Sequence, residues 1–480
     1  MNKKIRKFLF CMILLILVSG YMAVFSSVTS PLYPNNYGVD SAFYRFIGKS
    51  ILQGKTLYSD IWDNKGPVLF FIQALGALNG TRNADFSLIF ILQVISVFGS
   101  VLLMYGAYSA LHKQRAGDVY FLSAVVICGA VFCSTMVGGN LSEEWSLPFI
   151  SCSLFLFARY LSVCESHPEH PRAYAFLHGI CFGMIAFIRV NNAISICIGV
   201  LFICIYLMLK KQWKNLFSNI LFGILGIAAV TLPVCLYFYA KNALSDMVYG
   251  VFLYNLKYIG DRAHKTYHGT AFFLRYGPVI ASMLLILLRC CRQRKIRFDD
   301  LLSGGIVLGN AVILWQSNEY THYFTIFIPV FFLILLLYGS DLKIPELLIT
   351  AWIFIFFAVN VIPVFSDLAK DRDRQPQFSA ADSIPAEEKK SSIAVWLTPE
   401  IYLNTGFEPV SRFCAYQFIH FPVDPSMLDE FLDDIRTSRP QWIIVLSGYE
   451  GIYEEVGKLL ESDYGFAFTD SNANFYRRNQ

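Results

Sequence analysis

Charge is scarce in this chain: Asp, Glu, Lys and Arg together make up 15% of its 480 residues, and the formal surplus is only +4. With 55% hydrophobic residues and a mean hydropathy of +0.49, that scarcity excludes an ordinary water-soluble domain. It also excludes a nucleic-acid partner, because Lys and Arg stand in short clusters between apolar runs and make no basic face. Other absences narrow the field further. There is no Walker or Rossmann glycine pattern, no Cys/His cluster at zinc spacing, no G-x-S-x-G nucleophile elbow and no internal repeat. Twelve Cys are present, but Cys128, Cys133, Cys152, Cys181, Cys197, Cys204 and Cys235 lie in apolar segments, where a thiol behaves as a small hydrophobe. Only Cys414 falls in a polar domain, so no disulfide framework is implied.

What the chain does have is lipid-length apolar sequence. Runs able to cross about 30 Å of hydrocarbon at about 1.5 Å per residue occur near 8–28, 85–110, 118–137, 144–163, 215–240, 272–290, 320–339 and 344–366, with shorter or interrupted runs at 173–189, 190–209 and 301–316. The first follows the basic "NKKIRK" and resembles a signal peptide, but it is longer than the usual apolar core of about 7–15 residues and no A-x-A-like site follows. It reads as an uncleaved span. "PVLFFIQALGALNG" would reach only about 21 Å as a helix and reads as a surface segment. About eleven spans result, in a polytopic α-helical membrane protein of the cell membrane.

An inside N-terminus places "NKKIRK", "HKQR", "HPR", "KKQWK" and "RCCRQRKIR" together on the cytoplasmic side, as the positive-inside rule requires. The C-terminus then lies outside. The same topology collects the first loop, "GGNLSEEW", "IRVNN", residues 241–271 and "QSNEYTHY" on the extracytoplasmic face, where a site built from loops and span ends is expected. After residue 366 the composition turns polar: a charged linker over 367–390 leads into a small extracytoplasmic α/β domain over 391–480. In it "SIAVW" and "QWIIVLSG" read as buried strands, "PSMLDEFLDDIRTSR" and "EGIYEEVGKLLESD" as amphipathic helices, and "GFAFTDSNANFYRR" as a hairpin.

The first loop is "YGVDSAFYRFIGKSILQGKTLYSDIWDNKGPV". Phe43, Phe46, Ile47 and Ile51 share one helical face, away from Arg45 and Lys49, which predicts an interfacial helix. Asp40 in front of it reads either as an N-cap or as a general base at the membrane surface. Asp60, Asp63 and Lys65 follow; the lysine can snorkel or hold a phosphate. Glu143 and Glu144 open a span, with Asn140 or Ser142 as its cap, where acids are ordinary at a helix start but uncommon at the edge of hydrocarbon. Arg189 must snorkel, pair with a carboxylate or meet a phosphate. His322 and Tyr323 stand at a span mouth with Glu319, and the loop carrying Arg262 is rich in cations and aromatics.

The order of these motifs, an outer-loop aspartate, "LQGKTLYSDIWDNKGP", "SEE", "FIRVNN", "HYFTIFIP" and a polar C-terminal domain, resembles the GT-C membrane glycosyltransferases, in particular the bacterial branch related to protein O-mannosyltransferases and the lipid A aminoarabinose transferase. The resemblance covers about residues 8–366. It implies a polyprenyl-phosphate-linked sugar donor, Asp40 as the carboxylate that deprotonates or positions the acceptor hydroxyl, and Lys65 beside the donor phosphate. Where the family often has two adjacent acids, Ser41 follows Asp40, leaving open whether Glu143, Glu144 or a divalent cation completes the site; no metal ligands are assigned. Asp63, Arg189, Arg262, His322 and Tyr323 are the expected substrate-binding residues, and the acceptor is a cell-envelope glycan, lipid or protein. The competing expectation is a transporter or flippase of lipid-linked sugars or polysaccharide, which would place ionisable groups near the bilayer midplane and often show repeated halves. A third is a scaffold whose outer domain recruits partners.

Overall fold

The computed structural model describes residues 3–79, 84–111, 118–260, 270–316, 320–339 and 361–479. The chain forms two compact units, each assembled from separated segments: Met1–Leu32, Phe90–Val234 and Ala263–Lys370 make the first, and Tyr33–Ile89, Cys235–Arg262 and Asp371–Gln480 the second.

The first unit is helical. Among the described residues of the chain, six helices are long and apolar enough to cross a membrane: Lys4–Phe25, Leu88–Leu111, Arg172–Leu209, Trp213–Ala240, Phe298–Gln316 and Thr321–Gly339. Of the other expected spans, Ser142–Leu161 carries Glu143, Glu144 and Arg159, Asp118–Phe132 has only 15 residues, and most of 344–366 lies outside the described residues. The run Arg172–Leu209 is divided by a 3-10 turn, Val190–Ala193. Its first helix crosses Trp213–Ala240 so closely that a Cβ on Gly179 would strike the carbonyl of Gly223, and one on Gly226 the carbonyl of Phe176. Small residues are what allow backbones this near in lipid. The core is aromatic and aliphatic, with Phe121, Phe132, Phe157, Ile185, Leu314, Phe327 and Phe331 all buried. On Trp213–Ala240, by contrast, Phe217, Leu221, Ile224 and Leu232 are more than half exposed. Such a face suits hydrocarbon as its solvent.

The second unit joins the first loop to the C-terminal module. A four-stranded sheet runs in the order β1-β2-β4-β3, with β1 Ser392–Val395, β2 Trp442–Leu446, β3 Tyr464–Asp470 and β4 Ala473–Arg478. The buried strands β1 and β2 pair in parallel, Ile393 opposite Ile443, and need no alternation because both faces are covered. The β3–β4 hairpin turns on Ser471 (φ 51) and Asn472 (φ 63), the two positive angles a type I′ turn demands. Helices Ser426–Ser438 and Glu454–Asp463 supply Phe431, Ile435, Val456 and Leu460 to its core.

The first-loop helix, Val39–Leu52, departs from the expected one-sided interfacial element. Nine of its 14 residues are buried, Arg45 and Gly48 among them. It packs on Pro67–Gly76 so tightly that a Cβ on Gly48 would lie 2.5 Å from the Gln73 carbonyl carbon. On another side Phe46 stacks on Tyr402 at 5.1 Å and Phe43 meets the edge of Tyr416 at 5.5 Å. Tertiary partners thus cover flanks that periodicity assigned to solvent or headgroups. Pro67–Gly76 has 10 residues, a rise of about 15 Å, too short to span.

Candidate functional site

Within the second unit, the loop before Pro67 is folded by its own aspartates. Asp60 Oδ2 accepts the Thr56 N–H at 2.7 Å, and Asp63 Oδ1 accepts the Lys65 N–H at 2.8 Å, an Asx turn. Tyr58 donates its hydroxyl to the Lys65 carbonyl at 2.7 Å. Lys65 is therefore fixed by backbone bonds on both sides. Its ammonium lies 3.4 Å from Asp63 Oδ1 and over the rings of Tyr44 (5.2 Å) and Tyr416 (5.9 Å). Asp63 is completely buried and its Oδ2 has no hydrogen-bond partner; burial raises its carboxyl pKa, against the opposing pull of Lys65.

Asp40 is not the N-cap. That position is Gly38, with φ 64 and no side-chain cap bond, and Asp40 sits in the first helical turn, where the helix dipole favours its charge. Its Oδ1 accepts the Tyr416 hydroxyl at 2.5 Å. Burial, and then the charge of Asp40, push the Tyr416 phenol well above its usual range, so it stays protonated and donates. Next to this group, His420 takes a 2.7 Å hydrogen bond with the Tyr254 hydroxyl and packs edge-on to Trp62. Burial and the Lys65 charge push its pKa down to about 3, leaving it neutral.

The first unit holds a separate polar cluster. Arg189 Nη1 lies 2.6 Å from Glu143 Oε1, and its guanidinium sits 4.3 Å over the Tyr323 ring. His322 is buried and packs edge-on to Tyr323 at 4.7 Å. Glu144 accepts Gln93 Nε2 and the Asn140 N–H, each at 2.8 Å. Neither Asn140 nor Ser142 caps this helix: Leu141 holds the N-cap position, without a side-chain cap bond, while Asn140 Oδ1 accepts the Trp145 indole N–H at 2.9 Å and Ser142 donates to Glu143 at 3.0 Å. Arg262 and Glu319 lie outside the described residues.

Asp40, Asp63 and Lys65 are thus brought together around Tyr416, and Glu143, Glu144, Arg189, His322 and Tyr323 fall in the other unit. Sequence reasoning missed Tyr416, His420 and Gln93. No local pattern marks them, since Tyr416 is 376 residues from Asp40 and Gln93 lies inside an apolar helix. Among the described residues no group of three or more His, Cys, Asp or Glu is placed to hold a metal ion.

Residues 2–366 match the model of the family described as competence-induced protein Ccs4 N-terminal domain. The chain belongs to this family. No individual curated protein sequence matches the chain. Among solved structures, ArnT from Cupriavidus metallidurans bound to undecaprenyl phosphate aligns with a TM-score of 0.60 at 13% identity, over 97% of each chain. The Archaeoglobus fulgidus oligosaccharyltransferase tethered to an acceptor peptide containing the NVT sequon aligns with a TM-score of 0.54 at 12% identity, over 98% of this chain and 74% of its own. AglB from the same organism, in complex with an inhibitory peptide and a dolichol-phosphate, gives 0.52 at 12% identity, over 99% and 75%. At these identities the likeness is one of fold alone.

Proposed function

We propose that the chain is an integral-membrane glycosyltransferase that moves a sugar from a polyprenyl-phosphate-linked donor to a cell-envelope acceptor on the extracytoplasmic face. The observation that carries this reading is the juxtaposition of a base and a cation on one side chain: Tyr416 donates to Asp40 at 2.5 Å and its ring underlies the Lys65 ammonium at 5.9 Å. The fold shared with ArnT and AglB, structures holding undecaprenyl phosphate and dolichol-phosphate respectively, supports the donor class. In the proposed step Asp40 takes the proton of the acceptor hydroxyl as its oxygen bonds to the anomeric carbon. The bond from that carbon to the phosphate oxygen breaks, and the electron pair leaves with the polyprenyl phosphate, whose charge Lys65 stabilises. A single displacement of this kind inverts the anomeric configuration.

These steps use side chains alone. Arg189, with Tyr323 and His322 beside it, is a second candidate for phosphate contact in a cluster of its own, and Glu143 and Glu144 are second candidates for acid–base work. Arg262 keeps the substrate-binding role expected from the sequence. Lys65 holds its phosphate as a point charge, and Asp63 acts on the substrate through Lys65. The C-terminal residues 391–480 are assigned to the extracytoplasmic side. The test is transfer of radiolabelled sugar from a lipid-linked donor by the purified protein in vesicles. Asp40→Asn should abolish transfer with the protein still folded; transfer at the wild-type rate would remove Asp40 as the base, and transport without a new glycosidic bond would favour the flippase reading.

A further inference from the structure

Tyr416 belongs to the C-terminal segment, beyond the family-matched residues 2–366, and it reaches the first loop from there. Its backbone is left-handed, φ 54 and ψ 29, at the entry to the helix Gln417–Val423. A bulky residue holds that conformation only where its surroundings over-determine it. Here they do: the ring is 8% exposed and stands edge-on to Phe43 at 5.5 Å and to His420 at 6.1 Å. The hydroxyl is thereby delivered to one oxygen of Asp40 at 2.5 Å, a charge-assisted bond of the short, strong kind.

We infer that Tyr416 is a positioning residue for the reaction, contributed by the C-terminal segment: its hydroxyl sets the plane of the Asp40 carboxylate that receives the acceptor proton, while its ring underlies the Lys65 ammonium at 5.9 Å. The inference rests on the reading of Asp40 as base. A carboxylate on a helix can rotate about its terminal torsion, and an acceptor oxygen must meet it at hydrogen-bond distance in one orientation. A donor fixed in a packed ring removes that freedom without touching substrate. It also favours the ionised form of Asp40, which is the form a base needs. Among the described residues, the charged or titratable groups around the pair include Asp63 and Glu400, whose charges act on Tyr416, Lys65 over its ring and neutral His420 at its edge; Arg374 lies 3.9 Å from Glu400, and Arg45 and Lys49 are on Asp40's own helix.

Tyr416→Phe tests this, since it keeps the ring contacts and every one of those charges and deletes one oxygen. Transfer should fall about 10- to 100-fold in kcat with the donor KM little changed. The acid limb of the pH–rate profile should move up by about one unit. An infrared difference titration of the Asp40 carboxylate, wild type against Asp40→Asn and the same pair in the Tyr416→Phe background, should show its midpoint rising by about one unit. That measurement needs no turnover. An unchanged infrared midpoint overturns the proposal, as does a Tyr416→Phe protein with wild-type kcat and pH profile. If instead Asp40→Asn transfers sugar normally while the infrared shift is present, the hold of Tyr416 on Asp40 stands and the assignment of Asp40 as base falls.

Discussion

The Arg189 guanidinium lies 2.6 Å from the Glu143 carboxylate, and the two partners are unequally buried: Glu143 is 1% exposed and Arg189 23%. Removing the arginine strands a charge that cannot reach water, whereas removing the acid leaves a cation that can. Arg189→Met is therefore expected to destabilise the detergent-solubilised protein by about 3 kcal/mol, and Glu143→Gln by clearly less. Adding Glu143→Gln to Arg189→Met should recover most of the loss in thermal unfolding. A double variant no more stable than Arg189→Met would show that the two residues are not coupled.

How far this arrangement could be read from the sequence depends on the range of the interaction. The strands Ser392–Val395 and Trp442–Leu446 and the Ser471–Asn472 turn follow from local apolar runs and turn chemistry, and their elements fall within a residue or two of the expected limits. The long apolar helices follow in the same way. The bond of Tyr416 to Asp40 has no such trace, because nothing in "FCAYQFIH" points to a partner 376 residues away. For the same reason Val39–Leu52 was expected to keep a solvated side: its period marks the face with the most apolar residues, but tertiary contacts bury Arg45 as well. Asp60 and Asp63 show the reverse case, in which the N–H groups of Thr56 and Lys65, bonded to their side chains, give these polar residues a local structural task.

That local task makes Asp63 and Lys65 separable. Lys65→Ala removes the cation and should raise the donor KM about 10- to 100-fold, as loss of one charge-assisted phosphate contact does. Asp63→Asn keeps an oxygen for the Lys65 N–H bonded at 2.8 Å and should cost less, whereas Asp63→Ala also opens the turn. The expected order of donor KM is wild type, Asp63→Asn, Asp63→Ala, measured as initial rates against lipid-linked donor. Equal effects of the two Asp63 variants would show that charge alone matters there.

His420 sets an acid limit on the second unit. It is buried neutral, with its pKa pushed down to about 3 by burial and by Lys65, against about 6.5 in an unfolded chain. Between those values the unfolded state binds the extra proton, so stability is full above pH about 6.5 and falls as the pH drops towards about 3, by at most about 1.4 kcal/mol per pH unit. His420→Gln can keep a polar contact with Tyr254 and has no proton to take up. The variant should lose thermal stability less steeply than wild type between about pH 6 and about pH 4. Parallel slopes for the two proteins would exclude His420 as the source of acid sensitivity.

Gly48 links packing to the site in a single position. A methyl group there would lie 2.5 Å from the carbonyl carbon of Gln73 and 2.6 Å from the Ala74 nitrogen, backbone atoms that cannot swing aside as a side chain can. Gly48→Ala must therefore separate the helices Val39–Leu52 and Pro67–Gly76, at a cost of about 1–3 kcal/mol. Asp40 is carried by the first helix, and Lys65 stands two residues before the second. The same displacement should thus shift Asp40 relative to Lys65, and a misplacement of about 1 Å in a reacting group is worth about 100-fold in rate. Gly304→Ala is the control, because a Cβ there meets nothing within 4 Å, and as a mid-helix change from glycine it should be neutral or stabilising by up to about 1 kcal/mol. Gly48→Ala should lower both the unfolding temperature and the transfer rate, and Gly304→Ala neither. Full transfer activity in a destabilised Gly48→Ala protein would mean that the helix contact supports the fold without setting the distance from Asp40 to Lys65.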